Sequence, residues 1–457
     1  MNSVAIVDSP MDHPAGLLGS AFPIGVMMAV AMWTSGYIAR LPFIQAHPAL
    51  LFAMLAVIVL VGGRFAGSSH PRRWAAAILA SAVAAGFDLL VLGAYLAEDL
   101  EDQPWHAVIA VTSFFGAMMT LGMIGAASGS SPQRKWTRGE GCEVISAATF
   151  LATMVMIAIG GLVTSEEAGM AVPDWPASFG ENMFLLPLSR MTGGIYYEHA
   201  HRLYGTLVGL VTLSMTIYLV AQKAAIWLRW GAFLALAQVI FQGVLGGIRV
   251  TEVGSVTEQG GQVVAWQEST WSLALRVIHG VDGQIFLALT AVLWLLSSRS
   301  WNRPVKGEVP RLDRWLTGGL FLALLVQLTM GALSRHISRD WMIPHIVGAF
   351  AVLGLIMAVG ARCTLPGMPA PRVRVGGALG LLATIQVTLG FYALAVTGTE
   401  VRSASSGVHE TLVATFHQTL GALILSLAAV LICWTIRGSE IEEIEYSGAK
   451  SPLEKSS

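Results

Sequence analysis

Twelve apolar runs, each about 20 residues long, divide this chain from end to end. A helix rises 1.5 Å per residue, so about 20 apolar residues cross a hydrocarbon core of roughly 30 Å. The runs lie near 17–39, 48–67, 74–97, 106–128, 143–164, 196–222, 227–249, 271–297, 313–335, 342–362, 374–397 and 411–436. In lipid every backbone N–H and C=O must be bonded within the protein, and spans of this length do that as helices. The expected fold is therefore an all-α polytopic membrane protein with about twelve transmembrane helices, whose immediate partner is membrane lipid. Charged residues make up 12% of the chain, against about 25% in soluble domains. A net charge of −1 gives no sign of a nucleic-acid partner. The residues before the first run include Asp8 and Asp12 and no Lys or Arg, unlike a cleaved signal peptide. Cys142, Cys363 and Cys433 fall in no outer loop, so neither a structural disulfide nor a thiolate cluster is expected.

Lysine and arginine set the expected orientation. One set of short loops carries Arg72 and Arg73, then Arg134, Lys135 and Arg138, then Lys223, then Arg299, Arg303, Lys306 and Arg311, then Arg372 and Arg374, then Arg437. The alternate set is acidic or mixed: Glu98, Asp99, Glu101 and Asp102, then Glu166, Glu167, Asp174 and Glu181, then Glu252, Glu258 and Glu268. The positive-inside rule puts the first set and both termini in the cytoplasm, with Arg335, Arg339 and Arg402 as exceptions outside.

The expected organisation begins with a four-span extension over 1–128 and a cytoplasmic linker over 129–142. A first four-helix bundle comes next over 143–297 and a second over 298–436. The polar segment 437–457 reads as a disordered cytoplasmic tail. The extension holds few polar groups. Asp88 is the exception, and it either pairs with a neighbouring helix or marks a site.

The last eight spans read as a duplication. His201 and His279 lie in the second and fourth of them, His345 and His417 in the sixth and eighth. The pair separations are 279 − 201 = 78 and 417 − 345 = 72, and the first members are 345 − 201 = 144 apart. Each histidine sits near the outer start of its span. The alternate spans end in related patterns: Gly160-Gly161-Leu162-Val163-Thr164, Gln242 to Arg249, Gln327 to Ala332 and Gln386 to Gly390. Small residues let helices approach closely or leave room for a flat ligand. Neutral imidazoles on facing helices, twice, in an apolar bundle with glycines fit bis-histidine haem ligation, with the four histidines as iron ligands. Zinc or copper fits less well, because no three-ligand cluster is visible. Arg249, Arg276 and Arg335 lie at outer span ends. They either pair with haem propionates or mark the interface.

The stretch Glu198-His199-Ala200-His201-Arg202 adds a carboxylate and a guanidinium to the start of one span. Such groups are costly in a bilayer and are a functional-site hypothesis by default. Glu198 and His201, three apart, share a helical face, while His199 lies about 200° from His201. Ahead of this span runs an outer loop of about 30 residues, stiffened by Pro173 and Pro176 and bearing Trp175. Loops of that length between packed spans are usually functional.

Together the Glu198-x-x-His201-Arg202 motif, the preceding Gly-Gly-Leu-Val-Thr-Ser at 160–165 and Ala-Gly-Met-Ala-Val-Pro-Asp-Trp-Pro at 168–176 resemble the haem A synthase family of bacteria and mitochondria. The resemblance covers about 143–436. It implies a membrane oxidoreductase in the bacterial cytoplasmic membrane that oxidises a methyl of haem O to a formyl group for a terminal oxidase. By the resemblance, His201 and His279 hold the substrate haem, and His345 and His417 hold a haem b cofactor. Glu198 is the essential carboxylate, with Arg202 beside it as a propionate or supporting partner. Haem O synthase and an electron acceptor are implied partners. Some members carry a cysteine pair in the first outer loop. This loop has none, which excludes thiol chemistry there. The 1–128 extension lies outside the resemblance.

Two other readings compete. A di-haem b-type electron-transfer subunit needs no carboxylate beside one iron, and many such cytochromes place two ligands on one helix, which is absent here. A transporter would suit twelve spans, but the duplication covers eight and broken-helix signals are not evident.

Overall fold

The structure is a computed structural model, and it describes residues 11–100, 104–129, 135–251, 255–259, 262–303, 309–398 and 407–448. In chain order the helices are α1 (Leu17–Ala39), α2 (Pro48–Ser69), α3 (Arg73–Leu100), α4 (Pro104–Ala127), α5 (Arg138–Ser165), α6 (Gly193–Ala221) and α7 (Ile226–Thr251). Next is a hairpin of β1 (Ser255–Gln259) and β2 (Gln262–Gln267). Then come α8 (Thr270–Ser297), the short α9 (Arg299–Asn302), α10 (Arg311–His336), α11 (Met342–Cys363), α12 (Ala370–Thr397) and α13 (Val408–Gly448). Twelve of these helices are long and apolar enough to cross a membrane. The chain is an all-α, multi-pass integral membrane protein apart from the hairpin, whose strands pair antiparallel with Ser255 opposite Gln267.

Two boundaries differ from those expected of the sequence. Helix α5 begins at Arg138, inside the segment read as linker. Thr137 Oγ1 accepts the Glu140 N–H (3.2 Å) and Glu140 Oε2 accepts the Thr137 N–H (2.7 Å), a reciprocal cap that starts a helix ahead of its apolar run. Helix α13 runs on to Gly448, so its backbone is helical through 437–448. Adding residues to an existing helix needs no new nucleus, and the Glu and Ile residues of 440–445 extend it. The rest of the tail, 449–457, lies outside the described residues, as do Asp8, Glu101, Asp102, Arg134, Glu252, Lys306 and Arg402.

The chain falls into two compact units: Met1–Ser272 with Leu293–Ser300, and Leu273–Val292 with Trp301–Ser457. Helix α8 contributes to both.

In the first unit, α1–α4 pack through small residues. Ala21, Ala29, Ala76, Ala80 and Ala84 are fully buried. Helices α2 and α4 cross where Gly63 meets Gly122, and a Cβ at Gly63 would run into the Gly122 backbone. This extension is not set apart from α5 and α6. Helix α1 packs along α5 and is tied to α6 by polar and aromatic contacts. Thr34 and Tyr204 share a hydrogen bond (2.7 Å), and the Tyr196 hydroxyl donates to the Tyr37 carbonyl (2.6 Å). Tyr37 also stacks on Tyr196, and the Tyr218 hydroxyl donates to the Gly19 carbonyl. Helix α5 in turn meets the last turns of α8 through Phe150 on Trp294 (5.2 Å) and Ser146 with Ser297 (3.0 Å).

In the second unit, α10, α11, α12 and α13 pack in sequence around a core that includes Leu320, Leu324, Ile356, Leu379 and Leu425, and α13 closes back on α10.

Candidate functional site

Glu198 is 4% exposed, in the second turn of α6. Its two carboxylate oxygens have different partners. Oε2 accepts the Val172 backbone N–H (2.7 Å), and Oε1 accepts Arg202 Nη2, one turn further along α6 (2.5 Å). Each oxygen has two lone pairs, so each keeps accepting capacity for a proton or a polar group.

Arg202 fastens the loop between α5 and α6. Nη1 donates to the carbonyls of Asp174 (2.6 Å) and Ala177 (3.2 Å), and Nη2 donates to Val172 O (2.9 Å) as well as to Glu198. All four terminal N–H groups of the guanidinium are thereby used. The sequence offers Arg202 to a propionate, whereas its fork is committed to the loop. Asp174 completes the fastening. Its Oδ1 and Oδ2 accept the N–H groups of Phe179 and Gly180 (2.7 Å each). Burial opposes its charge, but those two N–H bonds and the nearby Arg202 outweigh it and hold the Asp174 carboxyl below the usual carboxylate range.

Three further contacts hold the same loop. Arg249 Nη1 donates to Gly169 O (2.9 Å), and Arg249 Nε lies 3.6 Å from Glu268 Oε1. His199, fully buried on the α6 face away from His201, shares a 3.2 Å hydrogen bond between Nδ1 and Ser178 Oγ. The Trp175 ring lies where a Cβ on Gly247 of α7 would be. Val172 and Ser178 are fully buried beneath. The loop is thus a packed cover seated on α6 and α7. His199, Asp174 and Trp175 take roles that spacing alone did not assign. Asp174 and Trp175 sit in a proline-stiffened loop of unusual length, which was the available signal.

The second unit brings His345 of α11 and His417 of α13 together. Their ring centroids are 6.4 Å apart with planes at 86°. Two imidazoles on opposite sides of one metal ion, each bonded at about 2.0 Å, place their centroids roughly 6 Å apart. The two surroundings repeat. Gln327 of α10 donates Nε2–H to the His345 carbonyl (2.8 Å), and Gln386 of α12 donates Nε2–H to the His417 carbonyl (3.0 Å). Four residues beyond each glutamine stands a glycine. A Cβ on Gly331 would lie 2.9 Å from His345 Cε1, and one on Gly390 would lie 2.8 Å from His417 Cε1. Either substitution would push the ring away. His345 Nδ1 lies 3.0 Å from Gln327 Nε2 and 3.1 Å from the Gln327 backbone carbonyl; in the tautomer with Nδ1–H donating to that carbonyl, Nε2 is left as the coordinating atom.

The remaining candidate residues divide between the units. His201 belongs to the first unit, with Gly160 of α5 against its Cε1 edge (3.4 Å to a Cβ there). His279, Arg276 and Arg335 belong to the second unit, the first two on α8 and Arg335 in the last turn of α10. Among the described residues no group of three or more His, Cys, Asp or Glu side chains could hold a metal ion by itself. No protein-family model matches this chain, and no curated protein matches it. Fold and site together define a multi-pass membrane protein with paired intramembrane histidines in one unit. In the other unit, a buried carboxylate lies under the fastened loop between α5 and α6.

Proposed function

We propose that the chain is a haem A synthase-type oxidoreductase. In this reading it converts a methyl of haem O to a formyl group, for use by a terminal oxidase, a four-electron oxidation in which water supplies the formyl oxygen and the electrons leave to a separate acceptor. His201 and His279 hold the substrate haem, and His345 and His417 hold haem b. The observation that carries the reading is the His345–His417 pair: two rings 6.4 Å apart and nearly perpendicular, each with a glycine against its edge. That donor set and spacing fit a bis-imidazole iron between the rings, and the bare glycines leave room for the two imidazoles to stand where they do. Haem b bound there would supply one-electron redox chemistry.

The chain's own residues do the rest. Gln327 and Gln386 hold the backbone at each histidine, and the Gln327 carbonyl orients the His345 ring. Glu198 provides a fixed negative charge one helical turn from His201, able to stabilise positive charge beside the ring or to accept a proton from the reacting carbon. Arg202 holds that carboxylate in one position. The cover formed by 168–180 packs over the first turns of α6. The expected setting is the bacterial cytoplasmic membrane with both termini inside. Haem O synthase is the expected supplier, and a separate electron acceptor is required.

A second reading has one observation in its favour. Both oxygens of Glu198 are engaged in holding the loop, as they would be in a di-haem electron-transfer subunit whose carboxylate is only an anchor. The test is co-expression with a haem O source, then extraction and mass analysis of haem from wild type and Glu198→Ala. Haem A or its hydroxylated intermediate in wild type but not in the variant supports the synthase. Bound haem b with no modified haem in either sample supports electron transfer instead.

A further inference from the structure

We propose that the ends of α10, α11 and α12 around Asp313 form a binding site for the phosphate of an anionic membrane lipid. This inference is independent of the haem reading. Asp313, in the first turn of α10, is 1% exposed. It accepts Arg362 Nε through Oδ1 and Arg372 Nη2 through Oδ2, both at 2.5 Å. One carboxylate therefore meets two guanidiniums, and a positive charge is left over.

Arg372 carries part of that excess in an unusual state. The residue is fully buried, its Nη1 finds only the sulfur of Met368 (2.9 Å), and its Nε has no hydrogen-bond partner. A buried cation normally has its donors satisfied, so an acceptor is missing here. Arg362 leads from this interior to the surface. Its side chain is 30% exposed, and Asp313 engages only its Nε. The two terminal amino groups remain for a second anion, and a guanidinium fork suits phosphate.

The surroundings point to a lipid as the source of that phosphate. Arg311 and Arg374 are exposed at the same helix ends, and Arg314 lies between Asp313 and Trp315. Five arginines thus accompany one carboxylate among the described residues of these ends. Trp315 (81%) and Leu312 (54%) are among the exposed large apolar side chains, which fits the level of lipid headgroups. Basic clusters between helices on the positive-inside face are where anionic headgroups bind.

The test uses the full chain in neutral detergent, titrated with short-chain phosphatidylglycerol and read by native mass spectrometry. Wild type should bind the lipid saturably, and added salt should weaken binding. Arg362→Gln leaves the Asp313–Arg372 pair in place and should lower the affinity about fivefold, the effect of one cation near the surface. Phosphatidylcholine should not compete. The proposal is overturned if Arg362→Gln binds as wild type does, if phosphatidylcholine competes equally, or if salt leaves wild-type binding unchanged. If inorganic phosphate displaces the lipid at equal concentration, the site is one for free anions and the lipid assignment is wrong. Should Arg362→Gln fail to fold, the salt and phosphatidylcholine measurements on wild type decide.

Discussion

At His345 and at His417 the neighbouring helix supplies a glutamine amide and, four residues on, a glycine: Gln327 with Gly331, and Gln386 with Gly390. At His201 the neighbouring helix α5 keeps the glycine, Gly160, but has Met156 where the glutamine would stand. Glu198 precedes His201 by three residues, where the second unit has Met342 before His345 and Ala414 before His417. Arg202 comes directly after His201, where the second unit has Ile346 and Gln418. The histidine-and-glycine frame recurs, while the carboxylate, the guanidinium and the fastened loop belong to one unit alone. A frame that only holds a group needs orienting bonds, which the glutamines provide. Under the proposed oxidation, a frame that also changes the group needs a placed charge, and Glu198 is the carboxylate the first unit has at that position.

The comparison can be broken at its histidines. His417→Ala should remove the group held by α10–α13 altogether, read as loss of roughly half the haem per chain in the purified protein. Total haem equal to wild type would separate the pair from any shared ligand. At Glu198 the expectation is a loss of oxidation with haem content kept. Glu198→Gln should lower product by about a hundredfold or more, the usual scale for a positioned acid or base. Introducing the carboxylate at Met342 should give no new product, since no loop is fastened there. Arg202→Gln should loosen the loop. Breaking a buried pair by removing one partner costs about 3–5 kcal/mol, and cleavage of the 168–182 segment by added protease should rise accordingly. Arg202→Lys should rescue only in part, because an ammonium has three donors for four contacts. Gln327→Ala should be milder, about 1 kcal/mol for one hydrogen bond, with a small change in the visible spectrum. The smallest effect concerns pH. Asp174 is held below the usual carboxylate range, so its contribution is present above the unfolded value near 4 and is lost as pH falls through the lower folded value. Protease resistance of the loop should therefore persist at pH 5 and fall only in stronger acid, and Asp174→Asn should abolish that acid transition.

Helix positions were legible because crossing a bilayer demands a length of apolar sequence that nothing else requires. All twelve spans coincide with helices to within a few residues at most ends. The exceptions have local causes that hydropathy does not register: the Thr137–Glu140 cap that starts α5 early, and the glutamate-rich continuation of α13. The histidines and their glycines were legible as a spacing. What Arg202 does was not, because three of its acceptors are backbone carbonyls 25 to 30 residues away, and any sequence supplies carbonyls. The joining of α1 to α6 was also hidden. Thr34, Tyr37, Tyr196 and Tyr204 read as ordinary span residues until packing pairs them, and that pairing makes the extension a support for the helix bearing Glu198.

The most direct measurement is low-temperature electron paramagnetic resonance of the oxidised, purified chain beside His345→Ala and His417→Ala. The account predicts a low-spin ferric haem with two crossed imidazole ligands in wild type, and loss of that signal together with its haem in each variant. A wild-type spectrum without that low-spin species, or one that survives either substitution, would contradict the claim that these two histidines hold a haem between them.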